Sequence, residues 1–251
     1  MSSGGDLEAK ARAFATDLTA TLRNAFGPNV RPLHARALRS DGEPPVSVRQ
    51  TPDTGIPLTV GGVPVLTLTI TYLCTWDTEA RFLAINASTL KVYAGARASG
   101  EPLFRYEYVR DVHSDQAGAH LQVHGHRDAL TYVMTRCGSV TQSGKNLREQ
   151  IAEGKAPTMA QLHFPLGGSR FRPCLEDVLD MLVRQFGIDA REGWREALAL
   201  GRDRWRRKQT AAAVRDAPSE AVAVLRRLGY DVRLPPGATP PPDRPERLRE
   251  L

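Results

Sequence analysis

The run Val63 to Trp76, VPVLTLTITYLCTW, constrains the fold more than any other part of the chain. Leu66, Leu68, Ile70, Tyr72, Cys74 and Trp76 alternate with Thr67, Thr69, Thr71 and Thr75, Leu73 being the exception. A period of two with β-branched residues describes a half-buried antiparallel strand, apolar on one face and polar on the other. Such a strand needs partners. Arg81 to Ala87, Thr89 to Ala94, 103–110 and 119–127 supply them as further short strands, and their order implies an antiparallel β-meander of about five strands with local pairing.

Helical periodicity flanks this sheet. Leu7, Ala11, Phe14, Leu18 and Leu22 predict an amphipathic helix over 6–26, stopped by Gly27 and Pro28. Leu175, Val178, Leu179, Leu182, Val183 and Phe186 form a core-facing stripe behind Pro173, with Gly187 as stop. A basic helix from about Trp194 to Arg215 and a short one from Pro218 to Gly229 complete three C-terminal helices. The fold class is therefore α+β, an antiparallel meander flanked by an N-terminal helix and three C-terminal helices. The chain divides into an N-terminal helix (1–27), a Pro- and Gly-rich connecting arm (28–62) with one short strand expected at Val46 to Gln50, a sheet core with loops (63–172, of which 138–158 reads as a polar loop), a helical segment packed on it (173–230) and a Pro-rich tail (231–251). Six of the last seventeen residues are proline, which predicts disorder there.

Composition narrows the function classes. With 41% hydrophobic and 25% charged residues in 251, collagen-like, mucin-like and fully disordered chains are excluded. No apolar run is long enough for a transmembrane helix, and the start MSSGGDLEAK lacks a secretory core. Cys74, Cys137 and Cys174 are too few and too widely spaced for a disulfide framework or zinc ribbon, and fit a reducing cytoplasm. No GxSxG elbow, HExxH helix or Walker loop is present.

The chemistry-bearing pattern is a hairpin. Four of the six histidines lie between 113 and 126. On a strand, His120, Gln122, His124 and His126 share a face, as do Arg105, Glu107 and Val109, while Phe104, Tyr106 and Tyr108 face the other way. Matching apolar faces pairs Glu107 with Gln122 and Arg105 with His124, or the same faces shifted by two residues. The polar face can then perform acid–base chemistry on an RNA phosphodiester without metal. Glu107 serves as base, His120 or His124 as acid, and Arg105 stabilises phosphoryl charge. The same face offers a zinc site at His124 and His126, with His120 or Glu107 as third ligand. It also reads as a solvated surface or a docking face for a partner protein.

The net charge of +6, with 29 Arg and 5 Lys, is concentrated between Arg191 and Lys208. Arg195, Arg202 and Arg206 there form a candidate nucleic-acid contact, interleaved with Glu192, Glu196 and Asp203. Gly167, Gly168, Ser169, Arg170 and Arg172 precede a helix, where backbone N–H groups and the two arginines could hold an anion.

The segments PLFRYEYVRD, AHLQVHGHR, LHFPLGGSRFRPCLEDVLDMLVRQFGI and GWREALALGRDRWRRKQ resemble a protein family common in actinobacterial genomes, from which no activity follows. Residues 103–187 more loosely resemble TumE-type toxins of toxin–antitoxin pairs. That resemblance implies RNA as substrate and an antitoxin as partner.

Overall fold

The computed structural model describes residues 3–39, 44–77, 80–110, 117–125, 142–155, 159 and 164–249. His113, His126, Cys137, His163 and the segment Ala129–Thr135 lie outside them. The chain opens with helix α1 (Ser3–Phe26). Strands β1 (Leu33–Ala37), β2 (Val46–Gln50), β3 (Ile56–Val60), β4 (Val63–Trp76), β5 (Leu83–Ala94), β6 (Phe104–Val109) and β7 (Ala119–Val123) follow. Then come α2 (Gln142–Ala152), β8 (Phe164–Pro165), α3 (Gly168–Phe171), α4 (Leu175–Phe186), α5 (Trp194–Asp216), α6 (Pro218–Arg227) and α7 (Pro245–Leu248). The α+β expectation holds. Among the described residues no helix is long and apolar enough to cross a membrane.

Among the described residues the antiparallel sheet has eight strands rather than about five, in the order β1-β2-β4-β5-β6-β7-β8 with β3 also on β4. The central meander β4 to β7 is the one the alternation implied. The connecting arm is the main correction, because residues 28–62 contribute three strands. β2 pairs with the end of β4 at Thr71–Cys74, and β3 pairs with its beginning at Val63–Leu68, so both share one edge of the fourteen-residue strand. Gly61 and Gly62, both at positive φ, make the two-residue hairpin turn between β3 and β4 that only such residues favour. The Asp189 carboxylate clamps this turn, accepting from Gly61 N and Gly62 N at 2.9 and 2.8 Å and from Thr59 Oγ1 at 2.7 Å. Its pKa is lowered by those three donors. Short strands between turn residues carry weak periodicity, so a distant carboxylate and a long neighbour define them. The break expected between Ala87 and Thr89 is instead a bulge, where Asn86 is the extra residue of a continuous β5.

One face of the sheet carries the core. Leu66, Leu68, Ile70, Leu90 and Val92 pack with Leu7, Ala11, Leu18 and Leu22 of α1 and with Leu175, Val178, Leu179 and Leu182 of α4. Each fully buried leucine contributes roughly 1.5–3 kcal/mol. The expected polar loop 138–158 contains α2, whose Leu147 is fully buried. Pro173 lies outside α4. Cys174 is the N-cap, and its N–H donates to Asp177 Oδ2 at 3.1 Å, a reciprocal capping arrangement. The Pro-rich tail is also corrected. Ser219 N donates to Asp243 Oδ1 at 3.0 Å and Arg244 N to the Asp216 carbonyl at 2.8 Å. These polar ties hold the segment against α5 and α6 without an apolar core of its own.

Helices α4 and α5 meet at Gly201. A Cβ there would fall 2.3 Å from Glu176 Oε1 and 2.8 Å from its Cγ and Cδ, and Glu176 is 5% exposed. Arg202 Nε bonds Asp177 Oδ1 at 2.6 Å one residue further on. Gly201→Ala is expected to lower the unfolding free energy by about 1–3 kcal/mol through overpacking, despite its gain in helix propensity. Urea denaturation followed by circular dichroism measures it, and an unchanged midpoint would show that the helix pair has slack.

Candidate functional site

Cross-strand partners share a face, so the register assigns every side chain. Arg105 pairs with Gln122 and Glu107 with His120, the two-residue alternative to the register put first. The outer face therefore carries the rows Thr69, Lys91, Arg105, Gln122 and Thr71, Thr89, Glu107, His120. Glu107 Oε2 is the centre of this cluster. It lies 3.1 Å from Arg105 Nε and 3.4 Å from His120 Nε2. Arg105 also donates to Gln122 Oε1, and His120 Nδ1 lies 2.8 Å from the Ala117 carbonyl.

Three of the four candidate catalytic residues thus come together, and His124 does not. It sits past the end of β7, its N–H bonded to the Leu103 carbonyl and its Nδ1 2.7 Å from Glu101 Oε1. Its Nε2 is buried without a hydrogen-bond partner among the described residues. Among the described residues no group of three or more His, Cys, Asp or Glu is arranged to hold a metal. His126, the other half of the candidate zinc pair, lies outside them. Within the cluster, His120 and Gln122 are 5% and 2% exposed, whereas their cross-strand neighbours Arg105 and Glu107 are partly exposed to solvent. Burial works to raise the Glu107 pKa, but the His120 hydrogen bond and the Arg105 charge outweigh it and hold the carboxyl below the ordinary glutamate range. Lys91 adds to that field and was not singled out by the sequence, because only the register of β5 on β6 places it opposite Arg105.

The candidate nucleic-acid arginines separate. Arg202 is engaged by Asp177 at 2.6 Å and lies 3.9 Å from Asp180. Arg206 reaches Asp177 at 3.8 Å, and Arg195 lies over the Trp194 ring at 4.7 Å. The counter-charges of Arg202 and Arg206 come from α4, which the periodicity of α5 alone cannot reveal. Arg170 pairs with the buried Asp216 at 2.5 Å, and Arg172 stacks on the Tyr108 ring at 3.7 Å. Tyr108 and Phe104 point to the inner face, where Phe104 stacks on Phe186 of α4 at 6.3 Å. The basic helix and the histidine strand therefore lie on opposite faces of the sheet.

The inner face also encloses a cavity of about 570 Å³ between α1, strands β4 to β6, α5 and the C-terminal segment. Its floor is apolar and aromatic, including Phe14, Tyr72, Ile85, Tyr106 and Tyr108. Among the described residues nine Arg and Lys line it against five Asp and Glu, and one of those five, Glu107, turns its carboxylate to the outer face. Lys10, Arg172, Arg204, Lys208 and Arg215 bring its positive charge from three separate segments. Gln209 on α5 keeps Oε1 buried without a hydrogen-bond partner among the described residues. Sequence reasoning found Arg170 and Arg172 but not the cavity. The signal was present in α5 as Arg204, Lys208 and Arg215 at spacings of four and seven, which share one helical face.

Comparison with protein families, curated proteins and solved structures finds no match to this chain.

The outer cluster yields a pH prediction. A carboxyl depressed by folding adds stability that is present above its unfolded value, about 4.3, and is lost as the pH falls through its lower folded value. Glu107→Gln should therefore lower the urea midpoint at pH 7, with the gap from wild type closing as the pH falls below the unfolded value of about 4.3. A gap independent of pH would assign the effect to shape rather than charge.

Proposed function

We propose that this protein binds a small anionic ligand in the inner cavity. The observation that carries the reading is a volume of about 570 Å³ with an apolar floor and a surplus of cationic side chains. Sites for small ligands fall in the range of about 300–1,000 Å³ and combine apolar walls with a few placed polar groups. Guanidinium groups held over aromatic rings, as Arg172 is over Tyr108, are preorganised donors for an anion. Part of the positive charge read from the sequence as a nucleic-acid contact belongs, on this reading, to a concave site.

Anilinonaphthalene sulfonate, an aromatic anion of suitable size, tests it. The folded protein should take up the dye saturably at one site. Ala212→Trp, placed on the cavity wall, should weaken uptake by at least about tenfold while far-ultraviolet circular dichroism stays unchanged. Uptake unaffected by the filled cavity would overturn the reading.

A second reading is favoured by the contacts of Glu107. Its ionised carboxylate, touched by Arg105 and backed by His120, is a candidate base for metal-independent RNA cleavage, as the likeness to TumE-type toxins also implies. His120 would act there as the positioning group, because it is buried beside Glu107. RNA cleavage that survives EDTA and falls at least about a hundredfold in Glu107→Gln is the expected result. Cleavage equal in both forms, or absent from both, would remove it.

A further inference from the structure

Resting on the cavity reading above, we infer that the ligand is a free nucleotide, with its base on the aromatic floor and its phosphates on the cationic rim. Three independent features of the cavity lead to this class.

Aromatic side chains are scarce in this protein, at sixteen in 251 residues, yet six of them line this one cavity. They are Phe14, Tyr72, Phe82, Tyr106, Tyr108 and Trp205. An aliphatic ligand would be served equally well by the leucine and valine that dominate the core. Flat rings instead offer stacking surfaces for another flat ring.

The second feature is Gln209, which lines the cavity. A carboxamide side chain pairs with the edge of a base that carries both a donor and an acceptor. An ionised fatty acid has only acceptors, so it cannot match both.

The third feature is the amount and spread of charge. A single carboxylate needs one or two cations. Here Lys10, Arg204, Lys208, Arg215, Arg244 and Arg247 come from α1, α5 and the C-terminal segment to the same cavity, a number and arrangement suited to a chain of phosphates. The volume of about 570 Å³ admits one nucleotide and not a folded oligomer.

Isothermal titration calorimetry on the full chain separates the parts. ATP and GTP are expected to bind, with adenosine and tripolyphosphate each at least about tenfold weaker than ATP. Gln209→Leu should weaken ATP by about fivefold or more and leave tripolyphosphate unchanged, whereas Lys208→Ala with Arg215→Ala should weaken both. Retained circular dichroism spectra guard against misfolding in each variant. Tripolyphosphate binding as tightly as ATP, or an oligoribonucleotide binding where ATP does not, would overturn the nucleotide assignment. Oleate binding in place of ATP would overturn it too, yet leave the cavity reading intact. Absence of binding by every anion, together with failure to take up the dye, would sink both.

Discussion

Leu68, Ile70, Leu90 and Val92 lie together on the inner face of β4 and β5, and α1 and α4 cover them. Everything else is placed by that covering. Period-two alternation means that burying these four positions also sends Tyr106 and Tyr108 inward and Arg105 and Glu107 outward. A slip of one residue would reverse all of them at once. The two candidate sites are therefore consequences of a single packing decision, made by aliphatic side chains that take part in neither.

The same covering explains why a cavity exists at all. Helices α4 and α5 approach closely at Gly201 and Glu176 and are tied by Arg202 and Asp177. Further along α5 the side chains facing the sheet become Arg204, Lys208 and Arg215. Long charged side chains cannot fill an apolar interior as leucines do, because their charged ends must keep solvent or partners. The layers consequently part there, and the C-terminal segment lies across the opening, held by Asp243 and the Asp216 carbonyl.

Legibility in the sequence followed the length of each pattern. The fourteen-residue alternation of β4 and the stripes of α1 and α4 were plain. Of the strands of 28–62 only Val46–Gln50 was, since five-residue segments broken by Pro and Gly carry too few periods. What makes them strands is the edge of β4 that pairs with them. The polar hairpin was legible as a face. Its contents were right for Arg105, Glu107 and His120 and wrong for His124, because loop length leaves a two-residue ambiguity that alternation cannot resolve. The arginines were legible as a surplus and not as a set of contacts, since Asp177 and Asp180 lie on another helix.

Alternation and helical spacing, which depend only on near neighbours along the chain, determined the α+β class, the central meander, and which side chains of β6 and β7 share a face. The tertiary structure alone decided the rest. It set the register of β6 on β7, buried His120 beside Glu107, and turned part of the basic helix toward a cavity lined by Tyr108 and Arg172. Those outcomes depend on contacts between residues far apart in sequence, where packing volume and charge pairing act and periodicity carries no information.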